Sequence, residues 1–181
     1  MVIGGKRILK VDDKILLKEI GFEDVEAIYS TIDQDRIYLE EWLPFVELTT
    51  EISYTHRFVE NYINSDQTDV TFAIYYQDNF AGIIGLKDTD PDNKKTEIGF
   101  WLSESFQHKG IIAHSGKALI DYIFDVMNLN RIQLKAATGN LKSQRVAEHL
   151  GFMRDGIERD GELHSRGFVD LVVFSLLNSD R

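Results

Sequence analysis

A short polar turn between an apolar strand and a long helix carries the clearest chemical signal of this sequence. Residues 96–112 read TEIGFWLSESFQHKGII, so that Gln107, His108, Lys109 and Gly110 lead into an amphipathic helix. The free backbone N–H groups and the dipole at such a helix start favour a phosphate. Neither G-x-G-x-x-G nor G-K-[ST] occurs in the turn, which excludes the dinucleotide fingerprint and the Walker loop.

The strand before this turn contains Gly99 in its interior. A glycine inside a strand often marks a bulge or a close approach of a ligand to the backbone. A strand with an accessible backbone, followed by a phosphate-binding turn, suits a long cofactor with a pyrophosphate at one end. We therefore expect such a cofactor along this strand and turn.

The elements that must position this turn follow from hydrophobic periodicity. Alternation predicts strands at residues 16–20, 70–76, 80–87, 97–102, 131–136, 152–157 and 168–176. Spacings of three and four residues predict helices at 23–33, 38–45, 50–64, 110–128 and 142–150. Pro44 is expected to end the second helix, Thr50 to cap the third and Gly151 to follow the last. The polar segment 158–166 is predicted to be a loop.

The longest predicted helix lies between two predicted strands, which is the pattern of a βαβ unit. Strands 97–102 and 131–136 should therefore be parallel, whereas the last two strands should pair antiparallel. The expected fold class is α/β, with one mixed sheet and helices on both faces. Ligands in such sheets bind at the carboxyl ends of parallel strands, and segments 107–112 and 140–143 follow those ends.

Composition excludes several classes of site. With 181 residues, of which 43% are hydrophobic, the chain is predicted to form one domain, 1–181, with a sizeable core. It has no cysteine, which excludes disulfides, thiolate metal sites and a cysteine nucleophile. The five histidines lack ligand spacing, and segment 88–99 has Asn93 and Gly99 where a calcium loop needs Gly and Glu. We therefore expect no metal.

Net charge and hydropathy limit the classes of partner that the chain is expected to bind. The net charge of −10 argues against nucleic acid, because proteins that bind it show basic patches. An acidic surface attracts amines or basic proteins, although it can also serve solubility alone. No apolar run is long enough to span a membrane, and the N-terminus lacks a signal-peptide pattern. A cytoplasmic location is the default expectation.

Several segments resemble one family. Gln107 and Gly110 fit the cofactor motif Gln/Arg-x-x-Gly-x-Gly/Ala of the GNAT N-acetyltransferases, while Ile112 departs from its last position. Residues 140–146, NLKSQRV, and the following Gly-Phe resemble a segment of the ribosomal-protein N-terminal acetyltransferases within that superfamily. Their W-L-P segment resembles residues 42–44, and their closing strand resembles residues 168–170.

This resemblance implies a fold and a cofactor. The fold would be GNAT-like, with a mostly antiparallel sheet that splays at one central parallel pair. The cosubstrate would be acetyl-CoA, with backbone N–H groups of strand 97–102 polarising its thioester carbonyl. The residues expected to contact it are Phe100, Trp101, Leu102, Gln107, His108, Lys109, Gly110, Ile111, Ile112, Asn140 and Ser143. Asn140 could equally be a simple helix cap.

The resemblance also implies two catalytic residues. Coenzyme A leaves as a thiolate, which benefits from a proton or a hydrogen bond. Many family members supply a Tyr for this, but Ala147 occupies that position, and the branch instead places a Ser where Ser143 stands. Glu162 falls where the branch has its general base for the amine, with Asp160 and Glu158 as competitors. The alternatives are a solvated serine and a solvated carboxylate.

The implied reaction is direct acetyl transfer to a primary amine. The expected acceptor is a protein N-terminus, such as that of a ribosomal protein. Polyamines or other small amines are the alternative, and so is a non-catalytic acetyl-CoA-binding protein. The branch commonly forms dimers, and segment 42–46 could contribute to such a homo-oligomer. Trp42 and Phe45 are expected in the core, with a role beside the acceptor groove left open.

Overall fold

A mixed sheet forms the centre of the fold. The computed structural model describes residues 2–3, 5–65 and 68–181. In chain order, the strands in these ranges are β1 (Val2–Ile3), β2 (Lys6–Lys10), β3 (Ile15–Glu19), β4 (Thr71–Tyr76), β5 (Asn79–Asp90), β6 (Lys95–Leu102), β7 (Arg131–Ala137), β8 (Met153–His164) and β9 (Gly167–Leu177). They form one sheet in the order β1-β2-β3-β4-β5-β6-β7-β9-β8. The pair β6 and β7 is parallel, and the other neighbouring pairs in the described ranges are antiparallel.

Helices cover both faces of this sheet, which confirms the predicted fold class. They are α1 (Val25–Gln34), α2 (Arg36–Leu39), α3 (Phe45–Leu48), α4 (Ile52–Ile63), α5 (Ile111–Asp125) and α6 (Leu141–His149). Helices α1 to α4 share a core with Ala73, Ile83 and Trp101 on one face. Helices α5 and α6 pack on the other face, where a wide apolar stripe of α5 is fully buried.

The parallel pair separates after a few residues. β6 and β7 pair only at Lys95 with Arg131, Thr96 with Ile132 and Glu97 with Gln133. β6 nevertheless stays paired with β5 as far as Leu102. The carboxyl-terminal halves of β6 and β7 therefore splay apart and leave a cleft at the edge where the predicted motifs follow.

Two predicted helix boundaries are wrong. The predicted helix 38–45 is divided, because α2 ends at Leu39 and α3 begins at Phe45. Pro44 precedes α3 rather than ending a helix, since its fixed φ and missing N–H suit a helix start. Helix α4 begins at Ile52 with Glu51 as its N-cap residue, so Thr50 does not cap it.

The predicted loop 158–166 is also wrong. Strand β8 continues to His164 and pairs with β9 as far as Gly167, with bulges after Arg154 and after Glu158. Charged residues on this outermost strand of the described sheet produce no apolar alternation, so the sequence pattern resembles a loop. The ladder with β9 decides the conformation.

The remaining boundaries agree within a few residues. Gly151 has φ +87° and follows α6, as predicted. No helix in the described ranges is both long and apolar enough to cross a membrane.

Candidate active site

The turn before α5 presents backbone N–H groups in the way that a phosphate site requires. Gly110 has φ +72° and His108 has φ +62°, so the chain turns sharply into the helix. His114 makes the first bond of the helix, from its N–H to the Gly110 carbonyl. The amides of residues 111–113 precede that bond, and no side chain caps the helix start. These N–H groups remain available to an anion.

Side chains beside this turn hold its shape. The Lys109 ammonium donates to the Ser105 carbonyl at 2.9 Å and lies 4.7 Å from the centroid of the Phe106 ring. Ile112, which departs from the family motif, is 8% exposed and belongs to the α5 core. Its bulk is therefore accommodated in the core, and its N–H stays at the helix start.

The start of α6 forms the second polar wall of the cleft. Asn140 caps the helix, because its Oδ1 accepts a hydrogen bond from the Ser143 backbone N–H at 3.1 Å. The Ser143 hydroxyl makes no hydrogen bond with the described part of the chain, so it remains free to donate to a ligand. Ala147, which stands at the position of the family's tyrosine, is completely buried.

The splayed strands and these two helix starts enclose one cleft. Every residue predicted to contact the cofactor lines it, namely Phe100, Trp101, Leu102, Gln107, His108, Lys109, Gly110, Ile111, Ile112, Asn140 and Ser143. Residues distant in sequence are thus brought together, while their individual contacts with the cofactor stay predictions. Seven further residues that the sequence did not predict also line the cleft, namely Tyr38, Leu39, Leu43, Phe106, Ala113, Lys142 and Val146.

An aromatic wall from α2 and the following turn closes one side of the cleft. The Trp42 ring lies against Gly139, where a Cβ atom would stand 3.4 Å from Cη2. Trp42 is only half-buried and Phe45 is 41% exposed, so the expectation that both belong to the core is wrong. The chain breaks its helix between α2 and α3, which turns Trp42 towards the cleft.

Tyr38 in this wall is a hydrogen-bond donor at neutral pH. Burial raises the pKa of its phenol, and the charges of Glu104, Asp35 and Glu41 raise it further. The Lys142 ammonium lies 5.2 Å from the ring centroid, so α6 and α2 meet across the cleft. Asp35 accepts a hydrogen bond from the Glu104 N–H at 2.9 Å, which ties the wall to the turn after β6.

Glu162 lies outside the lining of this cleft, on β8 opposite Val169 of β9. Its Oε2 is 2.8 Å from His164 Nε2. The competing carboxylates differ in their contacts. Glu158 forms an ion pair with Lys135 at 2.8 Å, and this bond raises the pKa of the Lys135 ammonium. Asp160 lies at the bulge, with φ +50°, and is exposed.

Ser143 and Glu162 lie on opposite faces of the sheet. Ser143 begins α6, which packs with α5. Glu162 lies on the opposite face. It pairs with Val169, and cross-strand partners share a face. Val169 is two residues from Leu171, which pairs with Ala137, so these residues are all on the same face as Glu162. Ala137 in turn shares the face of Lys135, whose ammonium reaches both Glu97 and Glu158.

His164 was not singled out by the sequence analysis. A Glu-x-His spacing within a strand places both side chains on one face, and this signal was hidden because the segment was predicted to be a loop. In the described residues, no cluster of three or more His, Cys, Asp or Glu side chains could hold a metal ion.

Comparison with known protein families identifies the family to which this chain belongs. Residues 14–153, most of the chain, match the family model of the acetyltransferase (GNAT) domain. The chain belongs to the GNAT family of acetyltransferases. GNAT members transfer an acetyl group from acetyl-CoA to an amine, and the chain is therefore an acetyl-CoA-dependent N-acetyltransferase.

The alignments with similar proteins span almost the whole length of this chain. It is 33% identical to the "Putative ribosomal N-acetyltransferase YdaF" of Bacillus subtilis over 94% of this chain and 95% of that protein. It is 27% identical to the ribosomal-protein-serine acetyltransferase of Escherichia coli over 92% and 94% of the two chains. The crystal structure of the microcin C7 self-immunity acetyltransferase MccE with acetyl-CoA and AMP has a TM-score of 0.88, 26% identity and coverage of 93% and 95%.

The geometry of the GNAT cleft fits acetyl-CoA. The uncapped start of α5 and the left-handed Gly110 suit a pyrophosphate. The cleft runs from this turn along β6 to Ser143, a path that suits an extended arm ending in a thioester. The relatives named as ribosomal-protein acetyltransferases confirm the resemblance to that branch of the family.

Proposed function

We propose that this acetyltransferase modifies the N-terminal α-amine of a protein, with a ribosomal protein as the leading acceptor. The observation that carries the proposal is the placement of Ser143 in the cleft lining and of Glu162 on the opposite face of the sheet, with an exposed side chain. Similarity to the E. coli ribosomal-protein-serine acetyltransferase over 92% of the chain supports the acceptor class. A ribosomal-protein acceptor would place the reaction in the cytoplasm.

The chemistry of the site follows from this placement. When bound, acetyl-CoA supplies an activated acyl group. Glu162 would take a proton from the acceptor ammonium, so that the neutral amine nitrogen can attack the carbonyl carbon. Backbone N–H groups of β6 that face β7 beyond Glu97 lack a partner on that strand, and they would stabilise the developing oxyanion. Ser143 would donate a hydrogen bond to the sulfur as the carbon–sulfur bond breaks, and the second proton lost by the amine nitrogen would pass to the departing thiolate.

The acceptor side of the cleft is open and acidic. A Cβ built on Gly99 meets no heavy atom of the described residues within 4 Å, so the sheet face is uncovered there. Glu162 lies on this face with a 40% exposed side chain, and Glu104 is exposed near Tyr38. An open groove with carboxylates accommodates an extended chain with a cationic amine better than a closed pocket would.

Among the three candidate bases, Glu162 is favoured by its contacts. Glu158 already neutralises Lys135, and that ion pair would have to break before Glu158 could accept a proton. Asp160 lies at the bulge, where its backbone N–H donates to the Asp170 carboxylate. The Glu162 side chain is 40% exposed on the sheet face that carries Gly99, here called the acceptor face.

Mass spectrometry with acetyl-CoA and a panel of amines tests the proposed acceptor. The panel contains ribosomal-protein N-terminal peptides, the same peptides with blocked N-termini but free lysines, and polyamines. We expect one acetyl group on the peptides with a free N-terminus and none on the blocked peptides. Acetylation confined to polyamines would overturn the acceptor class, and binding of acetyl-CoA without any transfer would favour a non-catalytic role.

A variant series tests the proposed base. Glu162→Gln keeps the shape of the side chain but cannot take a proton, so kcat/KM should fall by roughly 10²–10⁴ at neutral pH. Coenzyme A affinity should not change, and higher pH should partly rescue the variant because more of the amine is already neutral. Glu158→Gln and Asp160→Asn are the matched controls. Loss of activity in either control, with normal activity in Glu162→Gln, would show that the base was misassigned.

A further inference from the structure

The only described hydrogen-bond partner of the Glu162 side chain is a histidine on the same strand. His164 Nε2 lies 2.8 Å from Glu162 Oε2. The two residues are separated by one position on β8, so both side chains point to the acceptor face. The His164 side chain is 9% exposed, whereas that of Glu162 is 40% exposed. The histidine is therefore nearly buried, whereas the glutamate that it contacts remains accessible.

The direction of this hydrogen bond follows from the proposed role of the carboxylate. A base starts ionised, and an ionised carboxylate can only accept hydrogen bonds. His164 Nε2 must then carry the hydrogen and donate it to Oε2. Oε1 is left as the oxygen that can receive a proton from the amine. A nearly buried donor also holds this geometry without competition from bulk water.

Orientation matters for this carboxylate because β8 offers little other support. The register with β9 is interrupted between Glu158 and Glu162, and Asp160 adopts φ +50° at the bulge. The strand then turns back at residues 165–166, immediately after His164. Glu162 thus stands on a short paired segment between a bulge and a turn, where its own long side chain would otherwise sample several rotamers.

We propose that His164 is a positioning residue that holds the Glu162 carboxylate in the orientation needed to deprotonate the acceptor amine. This inference rests on the proposed function, in which Glu162 is the general base. His164 acts through Glu162 and is not itself a catalytic residue, since its side chain is nearly buried. Misplacement of a catalytic group by about 1 Å can reduce turnover by roughly 10²-fold.

A double-mutant cycle measured as separate kcat and KM values tests the proposal. His164→Leu removes the donor, and kcat should fall roughly 10- to 100-fold with an unchanged KM for acetyl-CoA. His164→Gln places an amide N–H at the position of Nε2 and should restore most of kcat. His164→Asn is one carbon shorter, does not reach Oε2 and should behave like His164→Leu. This variant keeps the test valid if the leucine variant does not fold.

The combination with Glu162→Gln distinguishes positioning from an independent role. If His164 acts through Glu162, then adding His164→Leu to Glu162→Gln should cause no further loss of kcat. Additive losses, or full activity of both His164→Leu and His164→Asn beside an inactive Glu162→Gln, would overturn the inference and leave the base in place. Normal activity of Glu162→Gln would instead refute the base assignment, and the inference would fall with it.

Discussion

Replacing Gly110 by alanine tests whether the left-handed turn before α5 binds coenzyme A. Gly110 has φ +72°, and a Cβ atom there would meet His114 Cε1 at 3.7 Å, which is an ordinary contact. The cost of alanine therefore comes from the left-handed backbone, about 1–2 kcal/mol. We expect the variant to relax this strain in the free protein, so part of the binding free energy of coenzyme A must then restore the left-handed turn. The dissociation constant should then rise about 5- to 30-fold.

Gly5→Ala is the matched control for this experiment. Gly5 has φ +84°, and a Cβ atom there meets no heavy atom of the described residues within 4 Å. It lies between β1 and β2, far in the sheet order from the β6–β7 cleft. Gly5→Ala should lose about 1–2 kcal/mol of the free energy of unfolding in urea. Gly110→Ala should lose less because its turn relaxes, and only this variant should bind coenzyme A more weakly by calorimetry. A loss of unfolding free energy smaller than that of Gly5→Ala, together with unchanged affinity for coenzyme A, would refute the claim that the left-handed turn forms the cofactor site.

Three further predictions concern other parts of the chain. Ser143→Ala should lower kcat roughly 10²-fold. Its affinity for coenzyme A should not change, because the Asn140 cap binds the backbone N–H of residue 143 and is kept. An unchanged kcat would show that Ser143 has no role in catalysis. The Lys6 hydrogen bond lowers the pKa of Glu23 to about 2, so this stabilisation is present above the usual pKa of 4.5 and is lost as the pH falls towards 2. Glu23 is half exposed, so Glu23→Gln should cost about 1 kcal/mol or less at neutral pH and still less in acid; a cost in urea that does not change with pH would contradict this. Sedimentation should show a homodimer or larger oligomer, and a 20.8 kDa monomer at micromolar concentration would refute it.

Local patterns determined the cofactor half of the site. The turn at residues 107–110 and the cap at Asn140 are each contiguous in sequence, and helix starts follow from short-range hydrogen bonding. The parallel pairing of β6 and β7 also followed from the length of the intervening helix, because only a crossover of that kind brings two parallel strands together. These features depend on neighbours along the chain.

The acceptor half could not be predicted in the same way. The Trp42 wall depends on a break between α2 and α3 and on the close approach of its ring to Gly139, nearly a hundred residues away. Trp42 was expected in the core because apolar content alone does not show which neighbour covers it. Tyr38 meets Lys142 only because both helices pack around the same cleft.

The conformation of β8 shows most clearly what the tertiary structure decided. Its second part, residues 158–164, is mostly charged and carries no apolar stripe, so no periodic signal distinguishes this part from a loop. Pairing with β9 makes it a strand, and the alternation of that strand then places Glu162 and His164 on one face. Sequence determined which residues were available for acid–base chemistry, and only long-range strand pairing decided which of them meet, because register is set by the partner strand.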